Sequence, residues 1–321
     1  MKLGTRGSDL ALEQTRRVQD ALRFETERVV VETEGDSFKG DIEELGTQGV
    51  FVRELDLRVV EGELDAAVHS MKDMPTERPE GLEVAAVLKR APSHDVLVTS
   101  DGKTLDELDA GATVGTSSRR RKAQLLRERD DLNVERLRGN VDTRVEKVLD
   151  DETEYDAAVL SEAGIVGLGL GGHKEEEDDE DEANEATEDQ EDGLDVEYER
   201  LPLDDFVPSA NQGIVAVVAM DGTDEFEKLT QADDKRTRVV ATAERIVLSR
   251  VGGGCIAPIG VHARVQGDRI LIRADALSSD GKESVNIDRR YDVRSYLEGA
   301  EELAEEMVDR GADELLQEAA E

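Results

Sequence analysis

The sequence predicts an α/β protein: two α/β domains joined by a two-strand hinge, followed by a small C-terminal α/β domain in which helices cover an antiparallel sheet. Short apolar runs such as AAVHS, DVLVTS and GIVAVVAM alternate with amphipathic stretches, which is typical of buried parallel strands between helices. The chain passes between the first two units near residues 90 and 205, so the first domain is expected to be discontinuous. Three alternating runs after residue 258, joined by QGD and SSDGK turns, predict the antiparallel sheet.

The first unit begins with a short strand in KLGTRGS and a helix that Ser8 caps and that ends near Arg23. A second strand is predicted over residues 29–34 and a second helix over about residues 50–61. The apolar runs in LDAAVHSMKDMP and EVAAVLK predict two further strands.

The second unit alternates strands and helices after the strand SHDVLVTS. Its segments are, in order, the helix TLDELDA, the strand TVGTSS, the helix RRRKAQLLRERD, the strand NVERLR, the helix VDTRVEKVLDD and the strand YDAAVLS. This alternation predicts parallel pairing through right-handed crossovers. A low-complexity acidic stretch at residues 174–193 predicts a solvated loop that carries no chemistry.

We therefore expect domain 1 at residues 1–90 plus about 206–228, domain 2 at 91–205 and domain 3 at 229–321, each able to bury its own core. Domain 3 opens with the amphipathic helix KRTRVVATAERIVLSRV. Its sheet is followed by two helices, over about residues 296–310 and 313–321.

The composition is strongly acidic, with 78 Asp and Glu against 40 Lys and Arg and a net charge of −38. Because the apolar patterning indicates a folded chain, we interpret the acid excess as a surface adapted to high salt, where self-repulsion is screened, and expect a cytoplasmic protein of a halophile. Nucleic acid would be repelled by this charge. The sequence shows no apolar run near 20 residues and no signal peptide, so neither membrane anchoring nor export is expected.

Polar residues follow the buried strands at the points where open α/β sheets bind ligands. His69, Ser70, Lys72 and Asp73 lie just past a buried strand and are followed by Pro75, and Arg6 lies between the first strand and the first helix. For each residue alone, a capping or surface role is the alternative. The group together favours a site.

Hydroxyls and guanidiniums recur at the starts of the next two helices, in GTSSRRR and RLRGNVDTR: Thr116, Ser117, Arg120, Arg121, Arg138 and Arg144. Arginine binds carboxylates in a bidentate manner, and helix N-termini add further donors. Consecutive arginines usually form a solvated face, which is the interpretation we keep for Arg119. The recurrence at successive strand ends predicts a ligand with several carboxylates or phosphates.

The only cysteine, Cys255, lies in VGGGCIAPIG between the long helix and the sheet of domain 3. A lone cysteine is often a small buried hydrophobe. Three preceding glycines instead favour a thiol presented to a ligand that lies against the backbone. One cysteine excludes an internal disulfide, and the four histidines show no metal-ligand spacing.

Seven motifs in order now identify a resemblance: TRGSDLAL, GVFVREL, DAAVHSMKDMP, VGTSSRRR, LRGNVDTR, NQG and GGGCIAPIG. The chain resembles the porphobilinogen deaminase (hydroxymethylbilane synthase) family along nearly its whole length apart from the acidic stretch. The resemblance implies two periplasmic-binding-protein-like domains and a third domain bearing the cysteine. It also implies a dipyrromethane cofactor held by Cys255 through a thioether, with no metal and no nucleotide. We expect a monomer from a halophilic archaeon that acts on porphobilinogen.

The implied reaction adds four porphobilinogen molecules to the dipyrromethane primer with loss of ammonia and then releases the linear tetrapyrrole by hydrolysis. Asp73 is expected to be the catalytic acid. The cofactor is expected to engage Ser70, Lys72, Asp73, Thr116, Ser117, Arg120, Arg121, Arg144, Gly254 and Cys255. Substrate is expected to engage Arg6, Ser8, Arg138, Gln212 and Gly213.

Three positions depart from the family pattern, and we leave them out of the predicted site: Glu34, Gln48 and Gly167. Two other readings remain open. The same fold serves non-catalytic two-domain anion-binding proteins, although the third domain and its cysteine loop weigh against one. A transferase or hydrolase with a cysteine nucleophile would need a histidine paired with Cys255.

Overall fold

The first sheet contains strands from both segments of the predicted domain 1, residues 1–90 and about 206–228. A computed structural model describes residues 1–31, 50–150, 152–171, 196–252 and 257–319. The strands of the first sheet are β1 (Lys2–Thr5), β2 (Glu27–Val30), β3 (Ala66–Ser70), β4 (Leu82–Val87) and β10 (Val215–Met220). They lie in the sheet in the order β2-β1-β3-β10-β4. Its helices are α1 (Asp9–Ala21), α2 (Val50–Val60) and, after β10, α6 (Asp224–Leu229).

The second sheet has the order β7-β6-β8-β5-β9. Its strands are β5 (Asp95–Thr99), β6 (Thr113–Gly115), β7 (Asn133–Glu135), β8 (Ala157–Ser161) and β9 (Tyr198–Arg200). The accompanying helices are α3 (Arg119–Glu128), α4 (Val141–Leu149) and α5 (Glu162–Gly167). Apolar clusters cover both faces of this sheet, one centred on Leu97 and Val159 and the other on Val96 and Leu160.

The third sheet is antiparallel and is built from β11 (Ile259–Gln266), β12 (Arg269–Leu277) and β13 (Ser284–Asp292). The helices α7 (Lys235–Val251), α8 (Tyr296–Asp309) and α9 (Ala312–Glu318) accompany it. The predicted fold class is therefore confirmed: two mixed α/β sheet domains and a small antiparallel sheet with helices.

The strand directions differ from the prediction in part. β1 pairs in parallel with β2 and β3, and β6 does so with β7 and β8. In contrast, β10 is antiparallel to β3 and β4, and β5 is antiparallel to β8 and β9. Both β5 and β10 enter their sheets after the chain has crossed from the other unit, so no right-handed crossover fixes their direction. The predicted helix TLDELDA is only a 3₁₀ turn, Leu105–Glu107.

The third sheet shares a hydrophobic cluster with the first sheet instead of burying a separate core. Val240, Val247 and Val251 of α7 belong to the same buried cluster as Leu55 of α2 and Met74 beyond β3. The expectation of one core per unit is therefore wrong for these two sheets, because α7 fills the space between them.

Candidate active site

The turn after β3 carries the predicted acid and its lysine neighbour. It is one 3₁₀ turn, Met71–Asp73, and the side chains of Met71 and Met74 anchor it in the core, at 4% and 1% exposure. Arg245 of α7 donates from Nη1 to the carbonyl oxygen of Met74 over 3.3 Å. Asp73 is exposed and Lys72 is partly buried. The buried methionines and the Arg245 bond thus hold the turn in place, and the side chain of Asp73 is exposed to solvent.

Two arginines in the first turn of α3 form buried ion pairs with Asp95 at the start of β5. Arg120 Nη1 lies 2.7 Å from Asp95 Oδ2, and Arg121 Nε lies 2.9 Å from Asp95 Oδ1. Asp95 is fully buried, and the two arginines are 2% and 6% exposed. Burial alone would raise the pKa of Asp95, but the two guanidiniums hold it well below its usual value. Asp95 is therefore ionised and fixes both arginines.

Arg120 lies deeper than the sequence predicted. Its Nη1 also donates to Gln124 Oε1 over 2.8 Å and to the carbonyl oxygen of Val207 over 2.9 Å. Its Nε and Nη2 atoms are buried and have no acceptor among the described residues. Packing encloses the guanidinium on these sides, and the contact between Arg120 and the cofactor stays a prediction. Arg120 contributes a buried positive charge beside Asp95.

Gln212, predicted to contact substrate, joins the two segments where the chain crosses between units. Its side chain is fully buried. Nε2 donates to the carbonyl oxygen of Ser93 over 2.8 Å and to Asp95 Oδ1 over 2.9 Å, while Oε1 accepts from Arg121 Nη2 over 3.3 Å. Both ends of the amide contact protein groups, and the substrate contact of Gln212 stays a prediction. Gln212 positions Arg121.

Gly213, also predicted to contact substrate, allows the two crossing segments to approach. Its φ is +80°, and a Cβ at this position would lie 2.5 Å from the carbonyl oxygen of Ala91. Its own carbonyl oxygen accepts from the N–H of Ala91 over 2.9 Å. Gly213 therefore supports this backbone contact, and its contact with substrate stays a prediction.

Lys72 and Arg144 each interact electrostatically with Asp73 and with Arg121. The pKa of Arg144 is lowered to about 10, first by burial and then by the positive charge of Arg121, while Asp73 acts in the opposite direction. The pKa of Lys72 is lowered by desolvation, with Asp73 again opposing the shift. Arg144 donates from Nε to the carbonyl oxygen of Gly139 over 2.7 Å, which fixes its position at the start of α4.

This group, which we call the cationic cluster, has an excess of two positive charges. It consists of Lys72, Arg120, Arg121 and Arg144 against Asp73 and Asp95. In a chain with a net charge of −38, such a local excess costs free energy unless an anion compensates it. The cluster is therefore suited to bind a molecule with several carboxylates.

Other predicted residues lie at the edges where parallel strands end together. Arg6 and Ser8 follow β1, and Ser70 ends its parallel neighbour β3. Arg138 follows β7, whose parallel neighbour β6 leads to the start of α3. Ser8 stands at the N-cap of α1 without a side-chain capping bond, which differs from the predicted cap.

Thr116 and Ser117 use their hydroxyl groups within the protein. Thr116 is 5% exposed, and its Oγ1 accepts the N–H of Ser118 over 3.2 Å. Ser117 is exposed, but its hydroxyl donates to the carbonyl oxygen of Leu137. These bonds shape the turn before α3, and the contacts of the two hydroxyls with the cofactor stay predictions.

Gly254 and Cys255 lie outside the described residues, as do Glu34, Gln48 and the acidic stretch at residues 174–193. Gly167, the third departure from the family pattern, ends α5. A Cβ there would lie 3.0 Å from Cδ1 of Leu10 on α1. The glycine thus accompanies a close approach of α1 and α5, which belong to different sheets.

Sequence reasoning missed Asp95, the anchor of the cluster. The available signal was a carboxylate at the first position of the apolar strand run DVLVT, where a buried charge requires a partner. It also missed the buried pair of His69 and Asp56, whose Nε2 and Oδ1 atoms are 2.9 Å apart. This pair ties β3, just before the Met71–Asp73 turn, to α2.

Among the residues that the structure describes, no group of three His, Cys, Asp or Glu side chains is arranged to hold a metal ion. Within the same ranges, none of the helices has the length and apolar character needed to span a bilayer.

The comparisons with known proteins agree over both parts of the chain. Residues 1–228 match the family model described as porphobilinogen deaminase, dipyromethane cofactor binding domain, and residues 239–317 match that of the porphobilinogen deaminase C-terminal domain. A probable porphobilinogen deaminase of Methanococcoides burtonii is 43% identical over 99% of this chain and 97% of the relative. A probable porphobilinogen deaminase of Halobacterium salinarum is 41% identical over 99% of this chain and 98% of the relative.

Among solved structures, the prephenate dehydratase of Arthrobacter aurescens aligns with 94% of this chain and 86% of its own, with a TM-score of 0.35 and 14% identity. This similarity is too low to support an inference.

Proposed function

The chain belongs to the porphobilinogen deaminase family, and from this premise we propose how its residues carry out the reaction. The activity is that of a hydroxymethylbilane synthase, a transferase that joins four porphobilinogen units to a covalent dipyrromethane primer and releases the linear tetrapyrrole by hydrolysis. The alternative of a non-catalytic anion-binding protein is not favoured, because both family models match and together cover nearly the whole chain.

The observation that carries the assignment of residues is the charge excess of the cationic cluster. Dipyrromethane and porphobilinogen carry acetate and propionate groups, which suit guanidinium and ammonium donors. The two buried nitrogens of Arg120 without an acceptor, and the positive charges of Arg121 and Arg144 acting on each other, are what such carboxylates would compensate. The residues present therefore fit the group.

Cys255 is proposed as the point of attachment, because it is the only thiol in the chain and follows three glycines. Lys72, Arg121 and Arg144 would hold the carboxylates of the bound dipyrromethane, and Gly254 would allow its close approach to the backbone. Dipyrromethane supplies the free pyrrole position to which the first substrate unit is joined.

Asp73 is proposed as the catalytic acid. When the aminomethyl group of porphobilinogen leaves as ammonia, positive charge develops on the pyrrole, and a carboxylate near the ring N–H stabilises it. Asp73 suits this role because it is exposed on a fixed turn beside Lys72. Ser70 would assist at the same turn, and Arg6, Ser8 and Arg138 are proposed to hold incoming substrate carboxylates from the strand edges.

Arg120 is proposed to contact the cofactor and Gln212 the substrate, while Asp95 acts through the two arginines. The bonds among these residues hold the Arg121 guanidinium in place, so its orientation does not depend on the ligand. Thr116 and Ser117 are proposed to engage the cofactor from the turn that begins α3, and Gly213 to contact substrate where it keeps the crossing segments together.

The domain boundaries, the source of the protein and its partners are proposals as well. The sheets support domains at residues 1–90 plus about 206–228, 91–205 and 229–321. The acid excess, with 29 Arg among the 40 basic residues, and the relative from Halobacterium salinarum support a cytoplasmic enzyme of a halophilic archaeon. We propose a monomer with no nucleic-acid or membrane partner.

The intact mass of the protein tests the attachment. Wild-type protein incubated with porphobilinogen should gain the mass of two linked pyrrole units, and Cys255→Ser should gain none. The Asp73→Asn protein should show a mass gain but turn over at least about a hundredfold more slowly, in the range that acid–base groups contribute. A Cys255→Ser protein that gains the same mass would contradict the assignment.

A further inference from the structure

A cavity lies beside the Met71–Asp73 turn, outside the cationic cluster. Its volume is about 590 Å³, within the range of small-molecule sites. Met71 and Val87 line it from the first unit, while Ala241 and Ile246 of α7 line it from the third. None of the cluster residues lines it. The cavity therefore lies where the first and third sheets share their core.

Six charged side chains line the described wall of this cavity: Arg78, Arg238, Arg245, Arg250, Glu83 and Glu301. The four arginines come from two segments, the loop before β4 and the helix α7. In a chain whose surface is overwhelmingly acidic, a cavity with twice as many guanidiniums as carboxylates on its described wall is a local attractor for anions.

Arg78 gives the most specific indication of a ligand. Its Nη2 donates to Glu83 Oε2 over 3.2 Å, while its Nη1 is buried and has no acceptor among the described residues. A buried guanidinium nitrogen without a partner costs free energy in the unliganded protein. An oxyanion in the cavity would supply the acceptor.

Two other arginines are held in place by the protein. Arg238 donates to both oxygens of Asp233 and, from Nη1, to the carbonyl oxygen of Val84 over 3.1 Å. Arg245 donates to the carbonyl oxygen of Met74. Guanidiniums fixed in this way lose little freedom when an anion binds, which favours affinity. Arg250 pairs with Glu301 at the mouth, where it is 63% exposed.

We propose that this cavity binds a small oxyanion with two or more acidic groups, such as a polycarboxylate or a polyphosphate. The arginines of the two segments would engage separate acidic groups, and Arg78 Nη1 would make the buried contact. Because Met71 and the Arg245 contact connect the cavity to the turn that carries Asp73, a bound anion would stabilise that turn. The proposal does not depend on the roles proposed for the cationic cluster.

Calorimetric titration of the full-length protein at constant high salt tests the site, with citrate and pyrophosphate as separate probes. The wild type should bind at least one of them with one-to-one stoichiometry. Arg78→Gln should weaken that binding at least tenfold, and Arg250→Gln, at an exposed position that should not disturb folding, should weaken it by a smaller factor. Arg310→Gln, which removes an exposed arginine paired with Glu306 on α8, is the matched control and should bind as the wild type does.

Arg144→Gln separates this cavity from the cationic cluster. If the probe binds in the cavity, Arg144→Gln leaves the affinity unchanged; if binding falls in Arg144→Gln and persists in Arg78→Gln, the probe occupies the cluster and the proposal is wrong. Absence of saturable binding of both probes, or equal affinity of the Arg78→Gln and Arg310→Gln proteins, would also overturn it.

Discussion

Replacing Asp95 by asparagine should destabilise the protein strongly, although Asp95 itself is not proposed to contact substrate. Asp95 is fully buried and accepts from Arg120 over 2.7 Å, from Arg121 over 2.9 Å and from Gln212 over 2.9 Å. Asparagine keeps the shape but leaves two buried guanidiniums uncompensated. Removing one partner of a buried ion pair typically costs about 3–5 kcal/mol. We expect the free energy of unfolding to fall by about that amount.

Urea denaturation at fixed high salt, followed by circular dichroism, measures this difference. Asp101→Asn is the matched control, because Asp101 makes an exposed pair with Lys103, and its unfolding curve should overlay that of the wild type. A midpoint for Asp95→Asn that also overlays the wild type would show that the ion pairs do not stabilise the fold, and our reasoning about the cluster would fail.

The pH dependence of the difference in unfolding free energy tests the same ion pairs. The pKa of Asp95 is lower in the folded protein than its ordinary value of about 3.9. The stabilisation that Asp95 provides is therefore complete above about pH 4 to 5 and is lost as the pH falls toward the folded pKa. The difference in unfolding free energy between wild type and Asp95→Asn should thus shrink on acidification below about pH 4. A difference that stays constant over this range would contradict the assignment of the charge to Asp95.

Three further predictions concern the site and the fold. Arg144→Gln should raise the KM for porphobilinogen or reduce dipyrromethane loading by at least about tenfold, as expected for the loss of a charged partner. Steady-state kinetics measure the KM, and intact mass measures the loading. Unchanged values of both would exclude a carboxylate contact. Gly213→Ala should lower the melting temperature, because φ is +80° and the new Cβ would meet the carbonyl oxygen of Ala91. Gly62 has a similar φ but no atom within 4 Å of the added Cβ, so Gly62→Ala should lower the melting temperature less. Equal decreases in melting temperature would refute the close approach. Dilution from molar salt into dilute buffer should reduce the helical circular dichroism signal, since the net charge of −38 is then unscreened, and an unchanged spectrum would contradict salt adaptation.

The sequence was sufficient for the elements with strong apolar periodicity and for the order of the family motifs. Runs such as AAVHS and DVLVT are strands whose sides are both buried, and hydrophobicity alone identifies them. It could not give the direction of β5 and β10, because a fully apolar strand looks the same in parallel and antiparallel pairing. It also could not separate helix from 3₁₀ turn in TLDELDA, where four polar residues interrupt the apolar pattern.

The candidate site was predictable as a set of residue types but not as a set of roles. Arg120 and Arg121 are adjacent in GTSSRRR, yet one is closed off beside Gln124 and Val207 while the other acts on Arg144. That difference depends on Asp95, which lies 25 residues earlier on another element. Only the packing of β5 against α3 decides it, and no local pattern encodes that packing.

The hydrophobic cluster shared by the first and third sheets has a consequence for dividing the chain. One family match ends at residue 228 and the other begins at residue 239. The boundary between them therefore lies close to the start of α7 at Lys235. A fragment that stops there would lose the apolar face of α7 and expose Leu55 and Met74 to water. Such a fragment would aggregate, so this boundary between recognisable sequence regions is not a boundary at which either part folds alone.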